Sequence, residues 1–277
     1  CFLLDPGLTD DSFVTGYQVS TEQSTLVHHA LIFIIGPEAV EGARAQDATE
    51  EGSGWTCFGG PGLGTNLVGF GLLGFWVPGG EGTEFPEGTG KLLKARSQLV
   101  MQVHYHVHSR SVEASDASGV EFFLAAPTAD IDAIDEIALA APVEVRCPGA
   151  YPADPHDPCN REYALEHSEL RQGADLIHFL CQTRVDDYLS SDVGDGSIQP
   201  MSCDRKISEE SLALGVTGHM HLRGRSITIL LNPDTDQSET LLDIPQWDFE
   251  WQGQYWFQEA VTLRTGDLVR ITCVYDN

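Results

Sequence analysis

The sequence predicts an all-β protein built as two antiparallel β-sandwiches, and three observations carry that prediction. Strand-like runs recur along the chain, each short, rich in β-branched or aromatic residues and bounded by turn residues. The 28 glycines and 14 prolines punctuate the chain often, which suits short strands joined by turns. Helical periodicity is scarce. A length of 277 residues is that of two ordinary domains or one large one. Hydrophobic residues at 42% and charged residues at 21% give a globular balance rather than a disordered one.

The expected strands are LVHHALIFII (Leu26–Ile35), SQLVMQVHYHV (Ser97–Val107), GVEFFLA (Gly119–Ala125), SLALGVTGHMHL (Ser211–Leu222), RSITILL (Arg225–Leu231) and DLVRITCVY (Asp267–Tyr275). Packing such strands face to face is the natural way to bury their apolar sides. The domain boundary is expected in Pro127–Pro142, after the GVEFFLA strand and before a new strand-like VEVRCPG run. That places the domains at 1–130 and 131–277. One short helix is expected near Ile207–Leu214, opened by Ser208 with Glu209 and Glu210 in its first turn. There is no internal repeat at a fixed period. The apolar segment Leu67–Val77 is too short and too rich in glycine to span a bilayer, so no membrane span is expected.

Fifteen Lys+Arg face 42 Asp+Glu, a formal charge of −27. Such a field repels phosphate backbones and argues against nucleic acid as a partner. It also argues against electrostatic docking on anionic membranes. A strongly solvated acidic surface on a soluble protein is the expected consequence.

Seven cysteines are present without a CxxC, so a zinc ribbon or thioredoxin-type motif is not expected. Their spacing resembles that of disulfides in a secreted protein. Cys147 and Cys159 bracket a Pro-rich loop, Cys181 and Cys203 bracket a polar stretch, and Cys1 is left to pair with Cys57. Cys273 is then odd. Its partner is expected beyond the last residue, with a buried free thiol as the alternative. A secreted, periplasmic or extracellular location follows, and the opening CFLLDPG fits a leader already removed.

Seven of the ten histidines lie in or beside clusters. His219 and His221 flank Met220; on a strand, residues i and i+2 share a face, so both imidazoles reach one metal while Met220 points away. Alternatively they are two exposed polar residues. His28 and His29 are adjacent, and adjacent strand residues point to opposite faces. Both reach one ion only if the strand is bent or bulged, or if different ring nitrogens are used. A hydrogen-bonded core pair is the alternative. A third ligand is expected from His104, His106 or His108, which alternate on a facing strand; spacing does not choose among them. Imidazole clusters without thiolates or grouped carboxylates suit copper or zinc. No HExxH appears, as a zinc hydrolase would be expected to show, and copper with imidazole ligands is reasonable in an oxidising compartment.

Five segments taken together, TGYQVSTEQSTLVHHALIF, LVMQVHYHVHS, GHMHLRGRSITI, WDFEWQGQYWF and LRTGDLVRITCVYDN, resemble the copper type II, ascorbate-dependent monooxygenases in order and spacing. The resemblance spans nearly the whole chain. It implies two jelly-roll-like β-sandwich domains packed side by side, with a copper on each, facing one another across a wet cleft. It assigns His28, His29 and His104 to a first copper that stores and passes an electron. It assigns His219 and His221, with a methionine, to a second copper that binds O2 and a small-molecule substrate and inserts one oxygen atom into a C–H bond. These two are the expected catalytic residues, and ascorbate is the implied reductant.

Two positions depart from the family pattern. Its methionine ligand lies in a DEMC-like segment after the CVYD strand, and this chain ends at Asn277. The chain is therefore expected to be C-terminally truncated, with the cysteine of that segment as the partner of Cys273. The peptide-hydroxylating branch carries an arginine two residues before the HxH, where this sequence has Thr217. VHYH and WDFEWQ are closer to the dopamine β-hydroxylase branch. The competing functions are a copper-binding or electron-transfer protein without oxygenase activity, and an adhesion module with incidental histidines. Neither substrate nor oligomeric state follows from the sequence.

Overall fold

The computed structural model describes residues 1–23, 26–57, 60–63, 70–77, 80, 82–105, 115–127, 130–144, 154–157, 159–167, 177–184, 198–249 and 251–276. The protein is all-β, with antiparallel sheets packed on one another, and it divides into two compact units, Cys1–Ile137 and Ala138–Asn277.

The first unit contains β1 (Phe2–Leu4), β2 (Ser12–Ser20), β3 (Val27–Ile35), α1 (Val40–Asp47), β4 (Phe70–Trp76), β5 (Thr83–Glu84), β6 (Thr89–Leu93), β7 (Gln98–Tyr105), β8 (Gly119–Ala125) and β9 (Asp132–Ala133). One sheet has the order β1-β7-β3-β4; the other runs β5-β2-β6-β9, with β8 also paired to β2. β9 pairs in parallel with β6, which keeps residues beyond position 130 with the first unit.

The inward faces of the two sheets meet in one apolar cluster. Val14, Tyr17 and Val19 of β2 pack with Ala30 and Ile32 of β3, Leu73 of β4 and Leu99 and Met101 of β7. The outward face of the first sheet is covered too: Ile35 and Val100 pack with Val40 and Ala43 of α1 and with Trp55. Both faces of β7 are thus buried, which explains why Leu99, Val100 and Met101 are consecutively apolar rather than alternating. The Cys1–Cys57 disulfide, with Cα atoms 5.8 Å apart, belongs to this outer cover.

The second unit contains α2 (Arg161–Glu166), a helical turn over 177–181, and β10 (Ile198–Lys206), β11 (Ser211–Thr217), β12 (Gly224–Leu231), β13 (Glu239–Ile244), β14 (Gln254–Leu263) and β15 (Leu268–Asp276). The larger sheet has the order β10-β15-β12-β13, and β11 pairs with β14. Met201, Ile227, Ile229, Leu231, Leu263 and Ile271 are among the buried residues of its core.

Three local expectations are corrected. No helix forms over Ile207–Leu214. The Ile207 N–H and carbonyl bond to the Asp267 carbonyl and the Gly266 N–H, so neither is free for a helical ladder, and Ser211 onward is strand. The Ser211–Leu222 strand ends at Thr217, leaving His219 and His221 in the following loop. The VEVRCPG run is not a strand where it is described: at Val143 and Glu144 the backbone is irregular, and the Glu144 side chain is held in an ion pair.

That ion pair organises the segment before β10. Arg161, at the start of α2, donates to Glu144 through Nε (2.7 Å) and Nη2 (2.6 Å). His178 Nε2 lies 2.8 Å from Glu144 Oε1, and its Nδ1 lies 3.0 Å from Thr183 Oγ1. Asn160 caps α2 through the N–H groups of Glu162 and Tyr163. The Cys181–Cys203 disulfide ties the 177–181 turn to β10. Cys159 is disulfide-bonded, and Cys147 lies outside the described residues. Cys273 is a free thiol in the core, and burial pushes its pKa up.

Two disulfides fit an oxidising compartment. Among the described residues, no helix is long and apolar enough to cross a membrane.

Burial works to raise the Glu144 pKa, but the Arg161 and His178 hydrogen bonds and charges outweigh it and hold the carboxyl below its usual range. A depressed folded pKa means stability that is present above the unfolded value, about 4.3, and lost as pH falls through the folded value. Glu144→Ala removes the carboxylate that bonds both Arg161 and His178, leaves Arg161 with the more exposed Glu162 3.5 Å away, and should cost about 1–3 kcal/mol at neutral pH. Urea unfolding as a function of pH checks both points: the difference between wild type and variant should shrink on acidification below the ordinary carboxylate range.

Candidate metal centre

Three histidines of the first unit meet at one end of its first sheet. His29 on β3 and His104 on β7 are directly paired across the ladder, and the register shifts by one residue between Val27 and His29. The shift has a visible consequence. Val27 and Ala30 lie three residues apart, yet both belong to the cluster between the sheets. Strict alternation would put them on opposite faces. The additional residue of a β-bulge removes that conflict and turns His28 and His29 to one side.

The ring nitrogens converge there. His28 Nδ1 and His29 Nδ1 are 3.0 Å apart, and His104 Nδ1 and His29 Nδ1 are 3.3 Å apart. Two nitrogens bound at about 2.0 Å to one tetrahedral ion stand about 3.3 Å apart, so this spacing suits a shared ion. All three residues offer a ligand atom within 4.8 Å of the others, and among the described residues no carboxylate or thiolate joins the group. The donors therefore suit a metal that favours imidazole. His28 is buried, His29 intermediate and His104 exposed, so the group has a wet side.

Its surroundings are held from two directions. Gln102 shares a face with His104 and donates through Nε2 to the Gly60 carbonyl (2.7 Å), which brings Gly60 against this end of β7. Tyr105 donates to Asp116 Oδ2 (2.9 Å), and Asp116 Oδ1 accepts from the Gln23 N–H and the Ser118 hydroxyl. Burial, then the Asp116 bond and charge, push the Tyr105 hydroxyl up to about 12. Desolvation opposes ionisation of Asp116, but its four hydrogen bonds win and keep it below the usual carboxylate range. His106 and His108 lie outside the described residues.

In the second unit His219 and His221 are together, with ring centroids 5.0 Å apart and planes at 84°. They lie in the loop between β11 and β12 rather than on a strand, which corrects the geometry inferred from alternation. The alternating outcome persists for another reason. Met220 is anchored in the core, 3% exposed, so its neighbours on both sides face solvent. The loop closes by a bond from the Gly224 N–H to the His221 carbonyl (2.9 Å). No Cβ fits at Gly224: it would stand 2.8 Å from both Met220 Cβ and Trp247 Cδ1. Met101, Met201 and Met220 are all buried in apolar clusters.

One residue near this pair carried no role in the sequence reading. Gln252, in the connection between β13 and β14, is buried; its Oε1 lies 2.6 Å from His219 Nδ1 and its Nε2 lies 2.8 Å from the Phe249 carbonyl. A glutamine more than thirty positions from the HxH gives no local signal. Phe249 stands edge-on to His221 at 6.2 Å. A groove of about 370 Å³, lined by Leu222, Gly224, Gln246, Trp247, Asp248 and Phe249, opens on the same loop.

No protein-family model matches the chain, and no curated protein is similar enough to count as a match.

Gly224→Ala forces Met220 or Trp247 to move. It should destabilise the second unit by about 1–3 kcal/mol and leave metal binding at His28, His29 and His104 unchanged. Chemical unfolding and metal titration of the variant read the two effects separately.

Proposed function

We propose that this protein is a copper-dependent monooxygenase, of the copper type II, ascorbate-dependent kind, that hydroxylates a small organic substrate in an oxidising, extracytoplasmic compartment. The convergence of His28, His29 and His104 Nδ1 atoms at a β-bulge is the observation that carries the reading. An all-imidazole set is one of the few donor sets that holds copper in both of its common oxidation states. When bound, copper would supply O2 activation and electron storage, with ascorbate as the electron source.

The chain's own contribution is positional. The first set of ligands is placed by the β3–β7 ladder, whose both-faces burial resists movement as charge at the site changes. The exposed edge of His104 offers a route for a reductant. In the second unit, His219 and His221 leave coordination positions open for further ligands, O2 or both. The groove beside them is within the size range of small-molecule sites. Asp248, Trp247 and Phe249 give it one carboxylate and two aromatic rings, so it can orient a small organic molecule without needing an arginine at Thr217.

A second reading is a copper-binding electron-transfer protein, favoured by one observation: the described residues gather three nitrogens at the first centre and only two at the second. Copper titration of the chain separates the two. The monooxygenase reading expects two copper sites, one lost in His28→Ala and the other in His219→Ala. It also expects O2 uptake that requires ascorbate and returns a product heavier by one oxygen atom. A single site, lost in His28→Ala and untouched by His219→Ala, would support electron transfer instead. Failure to bind copper at neutral pH would overturn both.

A further inference from the structure

The hydrogen bonds around Gln252 settle which nitrogen of His219 carries a proton. The Phe249 carbonyl only accepts, so the Gln252 atom 2.8 Å from it must be the amide NH2. The amide oxygen therefore faces His219. An amide oxygen also only accepts, so His219 Nδ1, 2.6 Å away, must be the donor. In a neutral imidazole with the proton on Nδ1, the lone pair sits on Nε2. Gln252 is 8% exposed, so its amide is shielded from water although His219 itself faces solvent.

We propose that Gln252 is the positioning residue of the second copper centre: it holds His219 as the Nδ1–H tautomer and so assigns Nε2 as the ligand atom. The inference rests on the copper reading given above and adds a residue to it. Outer hydrogen bonds of this kind orient a ligand ring and raise its basicity, and their loss typically lowers metal affinity about 10–100-fold. Phe249 joins the same unit from the other side. Its carbonyl anchors the amide, and its ring stands against His221, so one short loop fixes both histidines.

Two substitutions separate positioning from packing. Gln252→Met removes the acceptor for His219 and the donor to Phe249. Gln252→Glu also removes that donor but keeps an acceptor oxygen at the same reach. A merely structural role predicts that the two variants behave alike. The positioning role predicts that Gln252→Met weakens the second copper about 10–100-fold while Gln252→Glu retains it within a few-fold. Copper titration followed by electron paramagnetic resonance measures this, with the first centre as internal control.

An arm without metal reads the tautomer itself. Histidine ¹⁵N shifts of the apo chain near pH 8 should show His219 protonated on Nδ1 in wild type and Gln252→Glu, and a mixed population in Gln252→Met. Equal tautomer populations in wild type and Gln252→Met, or equal second-site affinity and spectra, would overturn the inference. A wild-type chain whose His219 is Nδ1-protonated but which binds no second copper would overturn the functional reading instead.

Discussion

One additional backbone residue in β3, opposite the end of β7, decides whether this strand brings both of its histidines to one side or sends one of them into the core. With regular pairing, His28 and His29 would face opposite sides of the sheet, one among the apolar residues between the sheets and one outside. The shift between Val27 and His29 puts both on the side where His104 waits, and it lets Val27 and Ala30 share the core. A bulge lengthens and twists a strand locally, and this one survives because the ladder on its far side is anchored. From Ala30 to Ile35 every residue of β3 has a partner on β7. Both faces of that ladder are covered, one by the second sheet and the other by α1, Trp55 and the Cys1–Cys57 bridge. The apolar packing therefore does not stand apart from the site; it is what makes an irregular backbone tolerable at the site.

The second unit reaches a similar presentation of histidines by a different device. No ladder holds His219 and His221. Met220 is the fixed point, buried against the core, and the chain folds back at Gly224 because only a glycine leaves space for Met220 and Trp247. The cost of a loop is orientational freedom, since nothing across a ladder restrains the rings. Gln252 and Phe249 supply that restraint from a neighbouring connection. A strand places a ligand by its pairing partner; a loop needs a hydrogen bond to do the same.

A third constraint lies away from both histidine groups. Among the described residues between Ala138 and β10, a buried carboxylate with two partners is a main contact. Glu144 gathers Arg161 from α2 and His178 from the 177–181 turn, and the Cys181–Cys203 bridge fastens the same turn to the sheet. Glu144 is the common partner of Arg161 and His178, so it is the member on which the arrangement depends.

The amino-acid sequence by itself determined the class of fold, five of the six expected strands to within a residue or two where they are described, and the segments in which histidines crowd together; the two disulfide pairs seen match the pairing expected from cysteine spacing. Those properties depend on short-range patterns: apolar runs between turn residues, cysteine spacing, and histidines crowded into β-rich segments. Tertiary structure alone decided the rest. Whether Ser208-Glu209-Glu210 opens a helix depended on Ile207 being bonded to the turn before β15. Whether the HxH lies on a strand depended on where β14 stops pairing with β11. His104 faces His29 because the β3–β7 register says so, and alternation within β7 contains no information about register. Gln252 reaches His219 through the meeting of two loops 33 positions apart. Each of these is a long-range hydrogen bond, and a pattern of neighbours along a chain cannot encode which distant backbone group a residue will find.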